Sequence, residues 1–184
     1  MMPLATGETA HIMTPDEMIA EAIATAEDGM AAGELPIGAV VVMGDEVVGR
    51  SHTKDRGAGR RLVHADLLAM IAADERLGWR KRPSPLVLAV NLEPCVMCLA
   101  TAITLGVTDV YYALESPADG GSWLTTSWRA DADMPWLRAP TVTGGIRRDE
   151  AIDQFRRYCA MAPDSGFKTW AWTLFDRPAP PPGA

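Results

Sequence analysis

Apolar patterning along the chain predicts an α/β protein in which a mixed sheet carries helices on both faces. Two observations support this. Short continuous Val/Ile/Leu runs, the mark of buried strands, alternate with segments whose apolar residues recur at helical spacing. The resulting order, α-β-β-α-β-α-β-β-α-α, is that of a sheet covered on both sides. Two of the predicted helices also begin with residues suited to metal chemistry, which places a site at one end of the sheet.

The first helix starts at "TPDE" (14–17). Thr14 can cap, Pro15 suits the first turn and Glu17 completes a capping box. Met18, Ile19, Ala22, Ile23, Ala26 and Met30 follow at helical spacing, and Gly33 is a stop signal. "IGAVVVM" (37–43), "GD" and "EVVGR" read as a hairpin. A polar, Gly-rich loop spans 51–61. The next helix carries His64 and runs to about Leu77. "LVLAVN" (86–91) is a buried strand. "PCVMCLATAITLG" is a helix with Pro94 in its first turn and Gly106 at its end. "TDVYYAL" (108–114) and "TVTGGI" (141–146) are the last strands. Helices over about 148–161 and 167–175 close the chain. The ends, residues 1–13 and the Pro-rich 177–184, are expected to be flexible, leaving one domain over 14–176.

The chain has 184 residues, enough for one domain with a substantial core. It has no run of apolar residues long enough to span a membrane, and "MMPLATGETAHIM" lacks the blocks of a signal peptide. A cytoplasmic protein is expected. Three cysteines make no disulfide framework. The formal charge of −7 argues against a large nucleic-acid footprint. A local basic patch remains open at Arg80–Arg82 or at the Arg pairs 60–61, 147–148 and 156–157, although solvated surface charge is the plainer reading.

Cys95 and Cys98 sit three apart in "PCVMC". On a helix such residues share a face, so both sulfurs can reach one ion. A helix N-terminus favours thiolates. Thiolates with an imidazole suit Zn²⁺, and three protein ligands leave a fourth position for water. His64, at the start of the other helix, is the natural third ligand. A redox pair is the rival reading of Cys95 and Cys98, and Cys159 reads as a small buried apolar residue.

The combination "HAD…LEPCVMC" resembles the H-x-E…P-C-x-x-C signature of zinc-dependent deaminases of the cytidine deaminase superfamily. "LPIGAVVV" (35–42) and residues 91–114 are similar to the branch that holds tRNA adenosine deaminases and guanine deaminases. The resemblance covers roughly residues 16–162. It implies a three-layer α/β/α fold, zinc on His64, Cys95 and Cys98, and a carboxylate that carries protons from water to the ring and to departing ammonia. It also implies a homodimer. In the family that carboxylate is Glu; here it is Asp66.

Asp is one methylene shorter than Glu, with nearly the same intrinsic acidity, so reach is what differs. Asp66 is expected to serve as the proton shuttle, directly or through a water. The alternative is a weak or non-catalytic zinc site. Glu93, beside Pro94, is expected to anchor the site rather than replace Asp66. The family commonly has an Asn after the second strand; here His52 or Thr53 takes that place. Ile37 is a further candidate for the pocket wall. Trp123, with Trp128 and Trp136, occupies the connection between the fourth and fifth strands, where it could stack on a flat ring. The segment "GFKTWAWTLF" (166–175) could cover an active site, its own or a neighbour's. The function expected is hydrolytic deamination of a small amino-substituted heterocycle. The alternatives are adenosine-to-inosine editing of tRNA and a zinc-binding homologue without activity.

Overall fold

A computed structural model describes residues 12–176. Most of the predicted N-terminal extension, and the Pro-rich 177–184, lie outside the described residues. Met13 packs against the core. Helix α1 (Pro15–Ala31) begins as expected: Thr14 Oγ1 accepts the Glu17 amide at 3.3 Å, and a Glu17 carboxylate oxygen accepts the Thr14 amide at 2.8 Å. Its apolar stripe, including Ile19, Ala22 and Ala26, is buried.

The sheet consists of β1 (Gly38–Met43), β2 (Glu46–His52), β3 (Leu86–Leu92), β4 (Val107–Leu114) and β5 (Thr141–Thr143). The spatial order is β2-β1-β3-β4-β5. β1 pairs antiparallel with both β2 and β3, whereas β4 runs parallel to β3 and to β5. The sheet is therefore mixed, as the patterning predicts. β5 is shorter than the predicted 141–146, because the chain leaves the ladder at Gly144.

Alternation along the strands divides the core into two. Val40, Val42 and Ala89 face one cluster with Met18, Ile19 and Phe155, under α1, α6 (Arg148–Met161) and α7 (Gly166–Trp172). Ala39, Val41, Leu88 and Val90 face the other with Ala69, Met70 and Leu99, under α3 (Ala65–Leu77) and α4 (Val96–Leu105). Two short helices were not expected: α2 (Asp55–Ala58), inside the predicted loop, and α5 (Trp123–Ser127). Both are under two turns, too short for apolar periodicity to show.

Candidate metal centre and adjoining cavity

The two predicted ligand-bearing helices start at the same end of the sheet. His64 and Cys95 are their N-caps, each extended, with carbonyls accepting the amides of Leu68 and Leu99. This corrects one detail: Pro94 precedes the cap instead of lying in the first turn. Neither side chain is used for capping, so both are free to face each other. Cys98, buried in the first turn of α4, points the same way.

His64 Nδ1 lies 3.6 Å from Cys95 Sγ and 3.8 Å from Cys98 Sγ, and all three ligand atoms fall within 4.8 Å of one another. Zinc bonds of about 2.3 Å to sulfur and about 2.05 Å to nitrogen, at tetrahedral angles, separate nitrogen from sulfur by about 3.6 Å. The three side chains thus fit one tetrahedral ion.

Their protonation is coupled. Cys95 is held down at about 4, first by the hydrogen bond from Cys98 and then by His64, against the opposing effect of burial. Cys98 is pushed up, chiefly because its proton is shared with the Cys95 thiolate and then by burial. His64 is raised to about 9, first by its hydrogen bond with Cys95. A dication binding here displaces the remaining protons.

Asp66, in the first turn of α3, is buried at 4% exposure, and its Oδ1 accepts the Leu67 amide at 3.1 Å. Burial is the main cause raising its carboxyl above the ordinary value; the Cys98 hydrogen bond opposes it.

A cavity of about 670 Å³ opens beside the cluster, with His64, Cys95 and Asp66 in its wall. Of the other sequence candidates, Ile37, Thr53 and Glu93 line it too. Glu93 is an anchor in its hydrogen bonding: its carboxylate accepts the amides of Ser116 at 3.0 Å and Ser122 at 3.2 Å. Gly120 packs so closely on that carboxylate that a Cβ would lie 2.3 Å from it. The Pro94 carbonyl accepts the Gly121 amide at 2.8 Å. The loop after β4 is thereby tied beneath the metal centre.

Two candidates are placed elsewhere. His52 turns toward α1, where a Cβ on Gly29 would sit 2.8 Å from its own Cβ; its Nδ1–H donates to the Thr53 carbonyl at 2.7 Å. At the end of β2, a shift of one residue reverses the face, and Thr53 has the cavity side. Trp123 lies on α5, 57% exposed and outside the cavity wall. The aromatic rings at the cavity come instead from α7 of the same chain, Phe167 and Trp170. Trp170 is braced edge-on by Phe155, with centroids 6.4 Å apart.

Sequence reasoning missed Asp55, Asp119, Ser165 and Asn91. The first three line the cavity from loops and short helices. Asn91 is fully buried; its Oδ1 accepts the Gly38 amide at 3.0 Å, and its Nδ2 donates to Pro36 O at 2.7 Å and Gln154 at 2.8 Å. It fixes the segment that carries Ile37. A lone amide in an apolar strand was a visible signal for it.

Comparison with known proteins agrees with this geometry. Residues 13–114 match the family model of the cytidine and deoxycytidylate deaminase zinc-binding region. A tRNA-specific adenosine deaminase of Bacillus subtilis is 37% identical over 112 residues, 60% of this chain and 68% of that protein. A tRNA(Ile)-lysidine synthase of Deinococcus radiodurans is 37% identical over 137 residues, 74% of this chain. The chain spans only 23% of that synthase and 27% of its Deinococcus deserti counterpart. Among solved structures, a tRNA:A34 deaminase that edits A to I at the wobble position superimposes with a TM-score of 0.63 and 26% identity, over 74% of this chain and 97% of the other. A guanine deaminase from Nitrosomonas europaea shares the fold, with a TM-score of 0.65 and 22% identity over 82% of this chain and 88% of the other. With its zinc-ligand cluster and the match running from α1 to the end of β4, this chain belongs to the cytidine and deoxycytidylate deaminase zinc-binding family.

Proposed function

We propose that the protein is a cytoplasmic hydrolase that deaminates a small amino-substituted heterocycle, a nucleobase, nucleoside or related metabolite, and releases ammonia. The observation that carries this reading is the cavity itself. It adjoins the His64–Cys95–Cys98 cluster, has a volume suited to a one- or two-ring ligand, and is walled by Phe167 and Trp170 from α7.

When bound, zinc supplies Lewis acidity and lowers the pKa of a water toward 7. The chain's own residues do the rest. Leu35, Ile37, Leu92, Phe167 and Trp170 offer apolar surface to a flat ring. Asp66, one residue past the backbone that carries Ala65 and two past His64, takes the water's proton at its carboxylate. It delivers that proton to the ring nitrogen, then takes the proton of the newly bonded hydroxyl and passes it to the amine, so that the C–N bond breaks as the carbonyl forms and ammonia leaves. Glu93, each of whose oxygens accepts a backbone amide, holds the Pro94–Cys95 backbone against the loop after β4.

A second reading, adenosine-to-inosine editing of tRNA, is favoured by the B. subtilis relative and opposed by the net charge of −7. Ammonia release from a panel of free nucleobases and nucleosides tests the first reading, with zinc-loaded protein expected to turn over at least one member. Turnover of tRNA alone, with a salt-sensitive mobility shift, would replace it with the second. No turnover of either would leave a zinc-binding protein without activity.

We also propose a homodimer. α4 is apolar on nearly every side, yet Val96 is exposed and Met97 and Ala100 are half-buried. A helix of that composition is ordinarily covered all round.

A further inference from the structure

The basic triplet Arg80–Arg82 takes no part in the metal centre. It follows the end of α3, at the opposite end of the sheet, where β3 and β4 start and α3 and α4 finish. α3 spans 13 residues, which sets the two ends about 20 Å apart. Another cleft, of about 430 Å³, opens there. Its wall carries Arg80, Lys81 and Arg82 against a single carboxylate, Asp74, together with two indoles, Trp79 and Trp136. On a chain with a formal charge of −7 this is a local reversal of sign.

The three cations are not equivalent. The Arg82 guanidinium donates to the Leu105 carbonyl, so its charge offsets the negative carbonyl end of α4. Arg80 and Lys81 are exposed, and among the described residues neither side chain has a hydrogen-bond or ion-pair partner. Arg50, Arg76, Arg148 and Arg157, by contrast, each pair with a carboxylate. Trp79 is fully exposed and Trp136 is 62% exposed. Neither indole packs on another ring among the described residues. A Trp contributes to a fold through the area it buries, and these two leave most of theirs uncovered beside two unpaired cations.

Both features have one complement. A nucleotide offers a flat π face to an indole and a phosphodiester to a guanidinium or ammonium group. We infer that this cleft binds single-stranded nucleic acid, with unpaired bases stacked on Trp79 and Trp136 and phosphates held by Arg80 and Lys81. A duplex keeps its base faces inside its own stack and offers the indoles nothing. The footprint is about two phosphates, one for each unpaired cation, which an otherwise acidic chain can accommodate. At its distance from the metal centre the cleft holds a strand and not a reacting ring.

The test is fluorescence anisotropy on the full, zinc-loaded chain with a labelled oligouridylate of about ten nucleotides. Uracil has no exocyclic amino group, so the probe is no substrate for deamination. The competitors are an abasic strand of the same length, an RNA duplex and uridine monophosphate. The oligouridylate is expected to bind, and each competitor to act at least about tenfold more weakly. Trp79→Ala and Trp136→Ala are each expected to weaken binding about 5- to 100-fold. Arg80→Ala combined with Lys81→Ala is expected to reduce the slope of log K against log salt by about 1.4. All four side chains are exposed, so thermal melts are expected to be unchanged. Arg60→Ala combined with Arg61→Ala, in the loop that leads to His64, is expected to leave binding as it is. Failure of the strand to bind overturns the inference, as does binding indifferent to both tryptophans. Equal competition by the abasic strand or the duplex overturns it in favour of a general polyanion patch, and equal competition by the monophosphate in favour of a free-nucleotide site. Binding lost in the Arg60/Arg61 variant and kept in the others puts the strand at the metal end and overturns it too.

Discussion

At the scale of single residues, Asp66 shows how burial and reach divide the work of an acid. It is almost fully enclosed, and one oxygen is tied to the next amide of its own helix. That tether holds the short side chain at the start of α3, beside His64, instead of letting it swing. Asp66→Asn keeps the shape and removes the proton carrier, so the ammonia-release rate is expected to fall about 10²- to 10⁴-fold. Asp66→Glu barely changes intrinsic acidity and adds a methylene in an enclosed place. A misplacement near 1 Å is worth about 100-fold, so a loss of about 10- to 100-fold with zinc retained is expected. A gain in rate would mean that the site is a worn version of one built for Glu.

At the scale of elements, two fastenings decide where the site sits. The loop after β4 is fastened through Glu93 and Gly120. Gly120→Ala would drive a methyl into the Glu93 carboxylate. It is expected to destabilise the fold by about 1–3 kcal/mol, as other overpacked contacts do, and to lower Tm by several degrees in a thermal melt. The other fastening joins α1 to α6. Gln154 Nε2 donates to Glu27 at 2.8 Å, and Arg157 donates to the same carboxylate. The Arg157 guanidinium is the main cause that holds Glu27 below its ordinary 4.5, with Gln154 adding and burial opposing. A carboxyl depressed in the folded state contributes stability above its unfolded pKa. That contribution disappears as pH falls through the folded value. The Tm advantage of wild type over Glu27→Gln is therefore expected to be full near neutral pH and to shrink below about pH 4.5. An advantage that persists unchanged in acid would assign the stabilisation to packing.

At the scale of the whole molecule, the metal centre joins the starts of α3 and α4 on one face of the sheet, so metal and stability are linked. Zinc at a thousandfold excess over Kd adds about 4 kcal/mol to a two-state fold, or about 8–16 °C in Tm for a chain of this size. Chelation is expected to lower Tm by that order, with recovery on adding zinc back, and a melt indifferent to chelator would remove the ion from the structure. The uncovered face of α4 makes its own prediction. Val96→Arg is expected to convert a dimer to a monomer in light scattering, whereas a wild-type monomer would retire the dimer. Among the described residues no helix is long and apolar enough to cross a membrane.

The sequence by itself determined the strands, the long helices and the metal ligands. These depend on local signals: continuous apolar runs, capping residues, and ligand types set at helix starts. Cys95 and Cys98 were legible because their spacing puts both on one helix face, and His64 because "HAD" and "LEPCVMC" together resemble the zinc-deaminase signature. Only the tertiary structure decided what surrounds them. It turned His52 away and put Thr53 in the cavity, left Trp123 on the surface, and brought Phe167 and Trp170 from the far end of the chain to the site. It also placed Asp55, an unremarked loop acid, in the cavity wall. Such placements depend on which face a strand end presents and on where distant helices land, and a pattern read along one segment carries neither.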